Sequence, residues 1–259
     1  MSIILLKMNR LITILLITSF FQLCVGSIQA QSWKRSRYEV NYGVGNTFFM
    51  GDLGGSNKTA KHGLFSIQDV DILSTRPVIF LAARYKVIER VALKLNFIYG
   101  SISANDKNTS DPGRNARALS FTSSIIEPSI QAELSILKER SGRKYSLSNI
   151  KYFKFKYLNT YVLFGAGVVI FDPKAQKEGI DIPQGTYNKT ALSIPVGIGF
   201  KYGINRKWSF GIELSNRYTT SDFLDNHSDK YSKANDSYFV MLYQFTYKLK
   251  TTRSGLPKF

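Results

Sequence analysis

The chain has 259 residues, of which 44% are hydrophobic, 14% aromatic and 20% charged, and its formal net charge is +17. That length holds one domain of moderate size, or at most two. Its lone cysteine, Cys24, excludes a disulfide framework and a thiolate metal cluster.

The first thirty residues read as a targeting segment. Lys7 and Arg10 precede an apolar run from Leu11 to Phe21 that is broken only by Thr13, Thr18 and Ser19. Ile28-Gln29-Ala30 then offers a small residue before Gln31. A basic flank, a short apolar run and an Ala exit describe a secretory signal peptide. Residues 1–30 are therefore expected to be removed, leaving 31–259 as one mature domain. Phe21-Gln22-Leu23 before Cys24 is too bulky and polar for lipoprotein processing. Losing Lys7 and Arg10 leaves 33 basic residues against 18 acidic ones. In a cytosolic protein such an excess would point to nucleic acid. Export points instead to anionic lipid headgroups or an acidic protein partner, with no nucleic acid.

The mature chain alternates with period two, the signature of strands with one apolar face. In chain order the apolar rows are Tyr38, Val40, Tyr42 and Val44; then Ile79, Leu81, Ala83, Tyr85 and Val87; then Leu93, Leu95, Phe97 and Tyr99. Ile126, Ile130, Ala132, Leu134 and Ile136 form the fourth row, and Val162, Phe164, Ala166, Val168 and Ile170 the fifth. Leu192, Ile194, Val196, Ile198, Phe200 and Tyr202 form the sixth, followed by Trp208, Phe210, Ile212 and Leu214. Phe239, Met241, Tyr243, Phe245, Tyr247 and Leu249 complete eight strands.

Connections alternate in length as well. Short turns stand around Ile88-Glu89-Arg90 and at Asn205-Arg206, whereas 48–76, 103–120, 171–190 and 221–235 are long. Short turns on one side and long loops on the other are the transmembrane barrel pattern. The connection 138–156 departs from it, being long where a short turn is expected.

A spanning sheet must close, because lipid offers no partner to a backbone donor or acceptor. These segments approach the 9–11 residues that a tilted strand needs to cross. The expected fold is all-β: an eight-stranded antiparallel transmembrane barrel in the outer membrane, of the OmpA/OmpX-like kind. The face opposite the apolar rows carries Gly, Ser, Gln, Asn and charges, which suits the narrow interior of eight strands. Its inner charges would be Glu39, Arg84, Lys86, Lys94, Glu127, Glu133, Lys201, Glu213 and Arg217. Their mixed signs predict a lumen closed by ion pairs. Tyr38, Tyr85, Tyr202, Trp208 and Tyr247 should gather at one bilayer edge, and Phe48, Tyr99, Tyr218 and Phe239 at the other.

Little here speaks for chemistry. Gly51-Asp52-Leu53-Gly54-Gly55 follows a barrel strand rather than opening a helix, so it reads as a turn. His62 and His227 fall in outer loops without a convincing nucleophile, so no enzyme is expected. Asp222, Asp225, Asp229 and Asp236 match no calcium loop, and they read as solvated surface. No cofactor or metal is implied. The connection 138–156 holds Lys138, Arg140, Arg143, Lys144, Lys151, Lys154 and Lys156 against a single acid, Glu139. It is a candidate docking surface for an acidic periplasmic partner or for lipid phosphates.

Several stretches carry a family resemblance. They are Phe49-Met50-Gly51-Asp52-Leu53-Gly54-Gly55, then Pro195 to Tyr202 leading into Trp208 to Leu214, then Arg217 to Asp225 and Asn235 to Phe239. With these the chain resembles a family of Bacteroidota outer-membrane barrels, described mainly as a domain of unknown function, whose best-known member is PorG. The resemblance implies a non-enzymatic component of the type IX secretion system, associated with gliding motility. It also implies contact with outer-membrane lipids and with periplasmic ring proteins like PorK and PorN. The other readings are a surface adhesion or opacity-type barrel and a narrow pore.

Overall fold

A computed structural model describes residues 32–50, 53, 72–108, 112–140, 154–185, 187–226, 235–252 and 256–258. It divides into a short N-terminal unit ending at Arg35 and the unit Ser36–Phe259. Described residues of the first belong to a 3-10 turn, Ser32–Ser36. The segment expected to be a signal peptide lies outside the described residues.

The second unit is a closed sheet. Its long strands are β1 (Tyr38–Met50), β2 (Arg76–Lys86), β3 (Val91–Asn105), β4 (Leu119–Ser135) and β5 (Leu158–Lys177). The two-residue β6 (Ile180–Asp181) folds back on β5, and β7 (Thr190–Gly203), β8 (Trp208–Thr219) and β9 (Ser237–Lys248) follow. β10 (Lys250–Thr251) and β11 (Pro257–Lys258) pair only with each other. Each long strand pairs antiparallel with its sequence neighbour, and β1 also pairs with β9, which shuts the ring. Eight strands thus make an up-and-down barrel with no free edge, the arrangement expected from the alternation.

The start of β1, the end of β9 and the strand ends that flank 87–90, 136–157 and 204–207 lie at one end, here the turn end. The strand ends that flank the β1–β2, β3–β4, β5–β7 and β8–β9 connections lie at the other, the loop end. Asn205 shapes one turn, its Oδ1 accepting from the Lys207 and Trp208 amides at 2.8 Å each.

The outer wall is apolar. Ile79, Leu95, Ile130 and Phe164 are 58–62% exposed, and Leu81, Leu93, Phe97, Leu134 and Leu192 join them around the barrel. A belt of this extent is costly in water and is at home in hydrocarbon. No helix among the described residues is long and apolar enough to cross a membrane. The strands do the crossing. Aromatic rings mark the turn-end edge: Tyr38 and Tyr85 have centroids 5.0 Å apart, and Trp208 and Tyr247 4.8 Å. At the loop end, Phe48 and Phe239 sit 6.1 Å apart.

One expectation fails in half of the interior. Toward the turn end the inner face is polar and charged. Toward the loop end it is an apolar core built from Phe49, Phe121, Ile125, Phe171, Leu224 and Val240 with their neighbours. Part of this core comes from β4 and β5. Both run past the bilayer belt, pairing as far as Leu119 with Lys177. In that extension the polarity is inverted: Phe121, Phe171 and Ala175 point inward, whereas Thr122, Lys174 and Gln176 point out. Outside lipid the usual rule returns, and apolar groups are stabilised by burial. The extension ends in a tight turn at Glu178 and Gly179, with φ of 52° and 85°, a pair of positive values that a two-residue hairpin of this hand requires. The predicted loop 171–190 is therefore strand over its first half, through Lys177 and again at Ile180–Asp181.

Candidate functional site: the ionic floor and its basic rim

The inner faces of β1, β2, β3, β4, β7, β8 and β9 each deliver one charge or more to the turn-end half of the barrel, whereas β5 delivers the neutral Asn159 and Tyr161. Glu39 on β1 lies between Arg84 on β2 and Lys248 on β9 in the sheet register. Its carboxylate meets Arg84 Nη1 at 2.8 Å, Lys86 Nζ at 2.7 Å and Lys201 Nζ at 3.0 Å. Arg84 also stands directly opposite Lys94, a like-charge pair that would be unfavourable alone. Glu133 on β4 resolves it, 2.6 Å from Arg84 Nε and 3.2 Å from Lys94 Nζ. Lys94 reaches Glu213 at 2.6 Å across the lumen. Tyr161 donates its hydroxyl proton to Glu213 at 2.9 Å, and Gln244 donates to the same Tyr161 oxygen at 2.7 Å.

A second, smaller group lies closer to the loop end. Arg217 Nε is 3.3 Å from Glu127, whose carboxylate also accepts from the Tyr238 hydroxyl. Arg217 further donates to Ser215. All of these side chains are buried. Removing one partner from such a site costs roughly 3–5 kcal/mol, because the other is left charged in a poor solvent.

The structure therefore brings Glu39, Arg84, Lys94, Glu133, Lys201 and Glu213 together, and pairs Glu127 with Arg217 apart from them. Two members escaped the sequence reading. Lys248 keeps the inward phase of Gln244 and Thr246 on β9, so the signal was present. Glu139 comes from the connection after β4, where no strand phase applies. Its carboxylate enters the barrel mouth and lies 2.6 Å from Lys248, 2.8 Å from Lys86, 3.2 Å from Lys201 and 3.4 Å from Arg84. Burial alone would raise its pKa, but Lys201, Lys248, Lys86 and Arg84 hold it well below the usual carboxylate range.

Around this floor runs an exposed basic rim. Lys138 pairs with Glu89 at 3.1 Å, and Arg140, Lys154 and Lys156 are exposed. The Lys154 amide donates to the Tyr202 hydroxyl at 3.2 Å, and Lys156 Nζ lies 5.1 Å from the Tyr157 ring centre. Arg90, Arg206, Lys207 and Lys250 are exposed at the same end. Among the described residues Glu89 is its one exposed acid. Arg143, Lys144 and Lys151 lie outside the described residues.

The loop end corrects another reading. Asp225 and Asp236 are buried rather than solvated. Asp236 accepts from the Leu224 amide at 3.0 Å and so fixes that residue in the core. Tyr187 stacks on Phe223 at 5.0 Å and donates to Asn226 Oδ1 at 2.7 Å. His62, His227 and Asp229, and all of the Gly51–Gly55 stretch but the buried Leu53, lie outside the described residues. Among the described residues no cluster of His, Cys, Asp or Glu is arranged to hold a metal ion.

No curated protein matches the sequence. Similar solved structures include Neisserial surface protein A, NspA, 10% identical over 82% of this chain and 96% of that one, with a TM-score of 0.43. Ail, the attachment invasion locus protein of Yersinia pestis, is 12% identical over 83% and 99%, with a TM-score of 0.41. The outer membrane protein OprG from Pseudomonas aeruginosa is 10% identical over 83% and 96%, also with a TM-score of 0.41. The barrel itself is established by the pairing of this chain's own strands. A family model matches residues 15–246, and the chain belongs to that family, a domain of unknown function (DUF6089).

Proposed function

We propose that this protein is a non-enzymatic outer-membrane barrel that docks an acidic periplasmic component of a protein secretion apparatus. The supporting observation is the rim, where exposed charge is almost wholly of one sign at the end that carries the short turns. In barrels of this class that end faces the periplasm. Exposed lysines and arginines of one sign speed the encounter with an acidic surface and set its orientation more than they set its final affinity. The resemblance to PorG supports a type IX apparatus and, as partner, a ring protein of the PorK and PorN kind.

The test is co-purification from detergent-solubilised membranes. Combined Arg140→Glu, Lys154→Glu and Lys156→Glu should lose the ring proteins while the barrel stays folded. Wild-type association should weaken as ionic strength rises, because exposed charges are screened beyond about 10 Å at 0.1 M salt. Undiminished recovery of the partner by the reversed variant would rule out docking through this rim.

A further inference from the structure

We propose that Arg84, Lys86, Lys201 and Lys248 form a carboxylate-binding socket in the barrel floor. Glu139 is its tethered occupant, latching the basic connection onto the barrel. The proposal rests on the floor alone and stands whether or not the rim docks a partner.

The charge balance of the strands requires such an occupant. Within the floor they contribute five cations, Arg84, Lys86, Lys94, Lys201 and Lys248, but only three carboxylates, Glu39, Glu133 and Glu213. Glu133 and Glu213 are engaged with Lys94 and Arg84, so Glu39 would face most of the remaining charge. Excess cation in a closed, low-dielectric space is expensive unless an anion joins it. Glu139 supplies that anion from outside the strands. It uses both oxygens, Oε1 on Lys248 and Oε2 on Lys86, Lys201 and Arg84.

The tether is short and directed. The amides of Ile136 and Leu137 donate to Thr160 O on β5, and Asn159 Nδ2 donates to Leu137 O. Glu139 follows two residues later with its side chain 8% exposed, while Lys138 and Arg140 on either side point to solvent. One inward acid between two outward cations is the form of a latch. It fixes where the basic connection leaves the barrel. Because the carboxylate is carried on a tether, its effective concentration at the socket is high, roughly millimolar or more.

A socket of this kind should accept a free carboxylate once its own is removed. The experiment is hydrogen exchange, read by mass spectrometry, on the full-length barrel in detergent with Glu139→Ala. Amides of residues 136–140 should exchange roughly tenfold faster than in the wild type, as expected when a local anchor is lost. Acetate should restore protection saturably, whereas chloride at equal ionic strength should not. Glu139→Asp should retain part of the protection. Unchanged exchange in Glu139→Ala, or equal effects of acetate and chloride, would overturn the proposal. Should Glu139→Ala not fold, Glu139→Gln with Lys248→Met keeps the charge difference of the floor. That variant should fold, exchange fast at 136–140 and ignore acetate. Wild-type protection in it would equally refute the latch.

Discussion

Gly199 shows how tightly single positions are constrained in this interior. It lies opposite Tyr161 across β5 and β7, and a Cβ built there would stand 2.1 Å from the ring's Cζ. The absence of a side chain lets the phenol lie against the wall and reach Glu213 and Gln244. Gly199→Ala should therefore push the ring away and cost about 2–3 kcal/mol, as overpacking does. Thermal unfolding in detergent would measure it. Glu139 gives a prediction in pH. Its carboxyl is held below the value of about 4.3 expected in the unfolded chain. Its contribution is thus fully present above that value and is lost as pH falls through the lower folded value. The stability difference between wild type and Glu139→Gln should be flat from about pH 7 to 5 and shrink below about pH 4. A difference growing toward acid would show the sign to be wrong. Glu39 and the four basic side chains also face this carboxylate, so only the difference between the two proteins isolates it. At this scale the sequence was readable wherever a residue sat in strand phase: Arg84, Lys94, Glu133 and Arg217 all follow from counting by two. Glu139 has no phase to count, and only its solitude among cations marked it.

Strands carried their message less evenly. Bilayer and water impose opposite polarities on the same pleat, so a strand that passes from one to the other inverts its pattern midway. In β5, Phe164 points to lipid and is 62% exposed, whereas Phe171, seven residues on, points inward and is 1% exposed. The sequence reading ended this strand at the inversion, because alternation alone looks broken there. The two phenylalanines give a direct comparison. Phe171→Ala should destabilise by about 3–5 kcal/mol, the usual cost of truncating a core aromatic. Phe164→Ala leaves no cavity and should cost far less, with both read from unfolding in the same detergent. Equal losses would mean that the loop-end half is not a packed core.

The whole molecule joins two environments in one wall. Strand number and up-and-down order were legible because each span is long and amphipathic, and because neighbours in sequence are neighbours in space. The contents of the lumen were only half legible: a barrel filled by ion pairs at one end and by hydrocarbon at the other has no single inner composition. The ionic end has a bearing on assembly. Glu39 belongs to the first strand of the ring, and its neighbours Lys201 and Lys248 belong to the seventh-numbered strand and the last. A half-inserted sheet would leave Glu39 with Arg84 and Lys86 of the adjacent β2 but would hold Lys201 and Lys248 away from it, cations facing hydrocarbon short of a counter-ion at a cost of several kcal/mol apiece. Joining the seam removes that cost in one step. Partly zipped intermediates are thereby disfavoured, and insertion becomes an all-or-none event in which the last hydrogen bonds and the neutralisation of the interior arrive together.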